Sequence, residues 1–267
     1  MHLRVRAVLL AGAALVTLVP STSAAALAAR SVPAMSHAAG DQGLTWSVVP
    51  SPNRKAKPQA NQLFGVTCLS ATSCTAVGYG DKKEPGSTFA EAKTLVERWN
   101  GTAWSKVASA NPNSTFTSLS GVSADSPTDA WAAGSYQIST PGTTGTFTEH
   151  WNGTAWSKAA TPSPSPSSNY LFGVSANSGT DVWAVGRYCA SGCGGTSEAD
   201  KTLLLHWNGS RWSKVSNPSP SSSFNELWGV SAVSVSNAWA VGDYCTPACS
   251  AYHTLILHWN GSTWTQT

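Results

Sequence analysis

Apolar and polar positions along this chain fall into sets of four short runs, and the set itself recurs. In its third copy the runs are Leu171–Ala176, Asp181–Gly186, Thr202–Trp207 and Arg211–Val215. Val182-Trp183-Ala184-Val185 is continuously apolar, as expected of an inner strand covered on both faces. Thr202–Trp207 instead alternates, setting Leu203, Leu205 and Trp207 against Leu204 and His206, the period of a strand. Asn208-Gly209 separates the last two runs and returns as Asn100-Gly101, Asn152-Gly153 and Asn260-Gly261. Asn-Gly between two β-rich runs predicts a hairpin with a type I′ turn, which needs positive φ at both central residues. No segment joins a helical apolar period to helix caps, and Pro, Ser and Gly crowd the connections. The pattern predicts an all-β chain.

The recurrence fixes the architecture. Leu-x-Gly-Val, Trp-Ala-Val-Gly, Leu-x-His-Trp-Asn-Gly and Trp-Ser-Lys follow one another four times, with anchor glycines Gly65, Gly121, Gly173 and Gly229. The repeats run over approximately 61–113, 114–168, 169–224 and 225–267, within a repeat domain of 44–267. A four-stranded unit cannot bury both faces alone, so serial units must stack, and stacking around an axis gives a β-propeller of about four blades, each with four antiparallel strands. Trp99, Trp151, Trp207 and Trp259 form one column, Trp104, Trp156, Trp212 and Trp264 a second, and Trp131, Trp183 and Trp239 a third. Aromatics at fixed repeat positions read as wedges between blades. Trp46 belongs with the second column, and Trp228 stands outside all three. Leu44–Val49 matches the fourth strand of a repeat but precedes the first one, so an extra N-terminal strand is expected, either fastening the ring or left from a fifth blade.

These motifs resemble the β-propeller repeats of the kelch, galactose-oxidase-like and Asp-box classes, and the tryptophan-rich Trp-Asn-Gly repeats of exported actinobacterial proteins. The kelch Gly-Gly doublet is absent, and Ser178-Gly179-Thr180-Asp181-Val182-Trp183 approximates an Asp-box. The resemblance implies a propeller and carries no catalytic site across.

The first residues change the picture of where this fold works. Arg4 and Arg6 precede an apolar run from Ala7 to Val19, then Pro20 and an alanine-rich stretch with a small-residue cleavage site between 24 and 28. Residues 1–28 read as a secretory signal peptide, with 29–43 a flexible mature N-terminus. No other stretch approaches membrane-spanning length, so a secreted, extracellular chain is expected. Without Arg4 and Arg6 the net charge drops from +3 to +1, with basic residues scattered, which argues against nucleic acid. The six cysteines pair locally as Cys68 with Cys74, Cys189 with Cys193 and Cys245 with Cys249. Disulfides are the reading for an exported chain, ahead of zinc, which would need further ligands.

Catalysis needs a constellation that appears once and breaks the repeat. His150, His206 and His258 instead share one column with Arg98, Asp129 and Asp181 share another with Asn237, and Glu97 and Glu149 occupy the strand position of Leu205 and Leu257. No nucleophile elbow, P-loop or zinc-protease motif occurs, and no metal or cofactor is expected. The variable loops, Gly80–Lys93, Ser135–Gly145, Arg187–Lys201 and Asp243–His253, share one end of the blades with the inter-repeat connectors. Recognition on a rigid scaffold resides in such loops. Tyr79, Tyr136, Arg187, Tyr188, Asp243 and Tyr244 at their entrances are the expected ligand-binding residues. The expected function is a non-catalytic binding or adhesion scaffold for an extracellular carbohydrate, cell-wall component or protein. The alternatives are a carbohydrate-active hydrolase or lyase, and a self-associating structural protein, so the chain would be a monomer or an edge-paired oligomer.

Overall fold

A computed structural model describes residues 47–52, 60–82, 91–112, 114–138, 142–191, 193, 199–246 and 249–267. Among the described residues sixteen strands form four separate antiparallel sheets, the four-bladed arrangement expected. Blade 1 contains β1 (Asn61–Ser70), β2 (Ser73–Lys82), β3 (Glu91–Trp99) and β4 (Trp104–Val107). Blade 2 contains β5 (Thr117–Ser126), β6 (Asp129–Gln137), β7 (Thr144–Trp151) and β8 (Trp156–Ala159). Blade 3 contains β9 (Asn169–Ser178), β10 (Asp181–Ser191), β11 (Ala199–Trp207) and β12 (Trp212–Lys214). Blade 4 contains β13 (Asn225–Ser234), β14 (Asn237–Cys245), β15 (Tyr252–Trp259) and β16 (Trp264–Gln266). Each sheet is ordered as its strands occur in the chain.

The core lies between blades, as the tryptophan columns require. Trp183, Val185 and Leu204 of blade 3 pack on Leu227, Ala240, Leu255, Leu257 and Trp264 of blade 4. Trp131 and Ala133 of blade 2 meet Leu171, Val174, Ala184, Leu203 and Trp212 of blade 3 in the same way. Val77 and Val96 of blade 1 meet Leu119, Val122, Phe147, Trp151 and Trp156 of blade 2. Blades 1, 2 and 3 therefore each have a leading face, built on the second and third strands, that seats on the trailing face of the next blade. Where the inner strands cross, a Cβ on Gly65 would meet Gly121 Cα at 3.1 Å, and one on Gly121 or Gly173 would meet the next anchor glycine at 3.3 or 3.2 Å. The glycines recur because neighbouring backbones touch there.

The first tryptophan column also closes the blades locally. Trp207 Nε1–H donates to Gly179 O at 3.1 Å, reaching from the third strand to the turn between the first two, and Trp99, Trp151 and Trp259 do likewise. The columns His150, His206 and Asp129, Asp181 are partners: His150 Nε2 lies 3.0 Å from Asp129 Oδ1 and His206 Nε2 2.8 Å from Asp181 Oδ1. His258 and Asn237 repeat the contact at 3.1 Å.

Two local expectations are corrected. In the Asn-Gly turns only the glycine has positive φ, between 89° and 95° at Gly101, Gly153, Gly209 and Gly261, so they are not type I′. The loops span four residues, because Trp207 pairs with Trp212. The Asn208 carboxamide oxygen then accepts from the Ser210 and Arg211 N–H groups, an Asx-type turn that leaves the asparagine at ordinary φ. The extra strand expected over Leu44–Val49 is not formed at Ser47–Val49, where Pro50 and Pro52 deprive the following backbone of donors. The rest of that segment, the signal peptide and 29–43 lie outside the described residues.

Candidate functional site

At the connector end of the blades, β9 and β10 pair so that Tyr170 stands opposite Arg187, and β13 and β14 so that Glu226 stands opposite Asp243. The Arg187 guanidinium lies over the Tyr170 ring at 5.4 Å and over Phe224, from the connector into blade 4, at 5.0 Å. Its Nη1 donates to Asp200 Oδ2 at 2.8 Å, and its Nε lies 3.8 Å from Glu226 Oε2. Both carboxylate side chains are nearly buried, while Arg187 is partly exposed. One cation thus joins two blades, two aromatic rings and two acids.

Beside it runs an aromatic strip along the inner strands. Tyr170 and Phe172 stack at 6.2 Å with an interplanar angle of 5°, and Phe172 stacks on Trp228 at 4.6 Å. All three rings are half-buried. Trp228 is held in place by its indole N–H, which donates to Asp243 Oδ1 at 2.8 Å. Tyr170 departs from the repeat, with Gln62, Ser118 and Glu226 at its position, whereas the position of Phe172 and Trp228 is also aromatic in blade 1, as Phe64, and is Ser120 only in blade 2. Flat rings flanked by acceptor oxygens can cover the C–H face of a ligand while bonding its hydroxyl or amide hydrogens.

The expected site residues divide into two groups. Arg187 and Asp243 belong to this cluster, and Tyr79, opposite Gln62, occupies the same position in blade 1, where it packs between Phe64 at 5.9 Å and Phe116 at 5.5 Å. Burial, followed by the Asp81 charge, raises the pKa of the Tyr79 hydroxyl. Tyr136, Tyr188 and Tyr244 lie one residue further along their strands and pack against the three inter-blade cores. Lys158 sits over the Tyr136 ring at 5.1 Å, Lys214 Nζ donates to the Tyr188 hydroxyl at 2.8 Å, and His253 stacks on Tyr244 at 5.3 Å. The structure does not bring these three together. Tyr170, Phe172, Phe224 and Glu226 lie outside the expected set; Tyr170 and Glu226 break the repeat at one inner-strand position, Phe172 shares its position with Phe64 and Trp228, and Phe224 lies in the connector before β13.

Cys68–Cys74, Cys189–Cys193 and Cys245–Cys249 are disulfide-bonded. The first joins β1 to β2, where the two cysteines are cross-strand partners, and the other two follow Tyr188 and Tyr244 directly. No group of three His, Cys, Asp or Glu side chains suited to a metal occurs among the described residues. No helix among them is long and apolar enough to cross a membrane.

Neither a protein-family model nor a curated protein matches the chain. Among solved structures it is similar to YCF48 bound to a D1 peptide, at 11% identity over 81% of this chain and 88% of that one, with a TM-score of 0.35. It is also similar to the α-L-arabinanase of Cellvibrio cellulosa complexed with arabinohexaose, at 10% identity over 76% of each chain, with a TM-score of 0.39.

Proposed function

We propose that this protein is an exported, non-catalytic binding scaffold that holds an extracellular glycan chain against the aromatic strip of blades 3 and 4. The observation that carries this reading is the run Tyr170, Phe172 and Trp228, half-buried and stacked in series beside the Arg187 cluster. Sugar rings present C–H faces that suit the negative face of an aromatic ring, and hydroxyls that suit carboxylate acceptors. A strip rather than a deep pocket suits an extended polymer. Three disulfides and the N-terminal signal pattern fit an oxidising, extracellular setting.

The non-catalytic part of the reading rests on how the acids are used. Asp200 and Glu226 both converge on one guanidinium, and Asp243 positions an indole. A glycosidase sets two carboxyl groups across a scissile bond. The test is a glycan and peptidoglycan array followed by titration of the best ligand. Trp228→Ala and Phe172→Ala should each weaken binding about 5- to 30-fold, the scale of a central aromatic contact, with little change in thermal unfolding. Unaltered affinity in both variants would remove the strip as the ligand surface, and product release from any bound polysaccharide would remove the non-catalytic reading.

A further inference from the structure

The repeat leaves half a joint at each end of the series. On blade 4, Trp239 stacks on His258 at 4.2 Å, as Trp183 stacks on His206 at 4.3 Å. Trp183 is covered by Trp259 and Trp264 of the next blade and is 1% exposed, whereas Trp239 is 40% exposed. Its neighbours on that leading face follow suit: Val241 and Ile256 are each 41% exposed, where their counterparts Val185 and Leu204 are 0%. A Cβ on Gly229 would meet only Val241 of its own blade, at 3.5 Å, while Gly65, Gly121 and Gly173 each meet the glycine of a neighbouring blade.

Blade 1 carries the complementary half. Trp99 and Trp104 lie 5.8 Å apart at 44°, the arrangement of Trp151 and Trp156 at 5.8 Å and 45° that receives blade 1 itself. On the same trailing face Leu63 is 41% and Val66 63% exposed, where Leu119 and Val122 of blade 2 are buried. The outer part of this face is covered locally, since the Ser51 hydroxyl donates to the buried Glu97 carboxylate at 2.6 Å, as Ala110 N–H does to Glu149. Its inner part, at Leu63 and Val66, is exposed and has no cover among the described residues.

We infer that a second copy of this chain occupies both open faces, with the leading face of blade 4 in one copy seated on the trailing face of blade 1 in the other. The occupant follows from the three joints already present: the surface that covers a Trp183-type face is always a Trp259–Trp264-type face, and the chain exposes one of each. Two copies related by a twofold axis form this joint twice and close a ring of eight blades, so no open face is left to propagate. Contiguous exposed apolar surface of this kind marks an association site. The contact is face to face and differs from pairing of the outer strand edges.

Light scattering coupled to size-exclusion chromatography of the full chain tests this directly. The expected mass is twice that of one chain at micromolar concentration. Trp239→Glu and Val66→Glu, both at exposed positions, should each give a monomer with unchanged circular dichroism. An equimolar mixture of the two variants should regain a dimer, because the intact blade 4 face of the Val66→Glu chain still meets the intact blade 1 face of the Trp239→Glu chain. A monomeric wild type overturns the inference, as does a dimer that survives Val66→Glu, which would mean a symmetric contact through Trp239 alone. Failure of the mixture to recover a dimer overturns it as well.

Discussion

The indole of Trp183 and the imidazole of His206 lie 4.3 Å apart on neighbouring strands, and the imidazole is fixed from its other side by Asp181 at 2.8 Å. A strand-three histidine thus orients a strand-two tryptophan, which then drives edge-on into the next blade at 83° to Trp264. Truncating such a wedge leaves a cavity that the rigid sheets cannot close. Trp183→Ala is expected to cost about 3 to 5 kcal/mol in urea unfolding, the range for large buried aromatics. Trp239→Ala, in the same column but exposed, should cost about 1 kcal/mol or less in dilute solution. Equal losses would mean that column position, and not coverage by a following blade, sets the energy.

Arg187 holds a different kind of joint. Its charge is shared between Asp200 and Glu226 on adjacent blades, and both acid side chains are nearly buried. Replacing it with an apolar residue of similar length keeps the packing on Tyr170 and Phe224 but leaves two close carboxylates without their common cation. Arg187→Met is expected to destabilise by about 2 to 4 kcal/mol, as breaking a buried pair from one side does. Chemical unfolding of Arg187→Met beside the double variant Arg187→Met/Glu226→Gln checks the cause, since removing one acid should restore part of the loss. No recovery in the double variant would show that the loss does not arise from the two acids left without their shared cation.

How far the sequence carries the structure depends on which interactions are periodic. The strands, the four blades and the wedge role of Trp131 and Trp183 are legible because every blade solves the same burial problem with the same residue. The Arg187 cluster is not legible, since it gathers Tyr170, Arg187, Asp200, Phe224 and Glu226 from four strands and a connector, and no period links them. Adjacent side chains of a strand point to opposite faces, so Arg187 and Tyr188 look equally suited to a ligand until the register is known. The pairing of Tyr170 with Arg187 and Asn169 with Tyr188 sends the first to the aromatic cluster and the second to the core. In blade 1 the same register places Gly80 opposite Asn61, so Tyr79 belongs with Arg187 and not with the other tyrosines.

The hairpin between β11 and β12 rests on two residues for two reasons. The Asn208 side chain accepts from the Ser210 N–H and hydroxyl and from the Arg211 N–H, at 2.9 to 3.1 Å. Gly209 has φ of 89°, and a Cβ there would lie 2.8 Å from Thr180 Cγ2. Asn208→Ala should cost roughly 1 kcal/mol through its lost side-chain hydrogen bonds. Gly209→Ala should cost about 1 to 3 kcal/mol through left-handed strain and contact with Thr180. Adding Thr180→Ser to Gly209→Ala removes the crowding methyl and leaves the strain. Partial recovery is therefore expected on thermal unfolding, and full recovery would remove strain as a cause.

Glu149 makes stability depend on pH in a direction opposite to that of ordinary paired carboxylates. It is fully buried between blades 1 and 2, where its Oε2 accepts from Ala110 N–H at 2.9 Å and its Oε1 has no hydrogen-bond partner among the described residues. Burial, only partly offset by that hydrogen bond, pushes its pKa from 4.5 up to about 8. The folded state therefore holds a proton that the unfolded chain releases near 4.5. This contribution is fully present below pH 4.5, declines as pH rises toward 8 and is lost above it, a fall on the order of a few kcal/mol. Glu97 and Asp125 are also raised, each chiefly by burial, and leave a smaller slope of the same sign. Leu205 and Leu257 hold the equivalent register position, each opposite an alanine as Glu149 is opposite Ala132. Glu149→Leu should consequently flatten most of the slope and raise stability at pH 8, while Glu149→Gln flattens the slope and keeps an acceptor for Ala110. Urea unfolding between pH 4.5 and 8.5 measures both, and a wild-type slope retained in Glu149→Gln would assign the dependence to other groups.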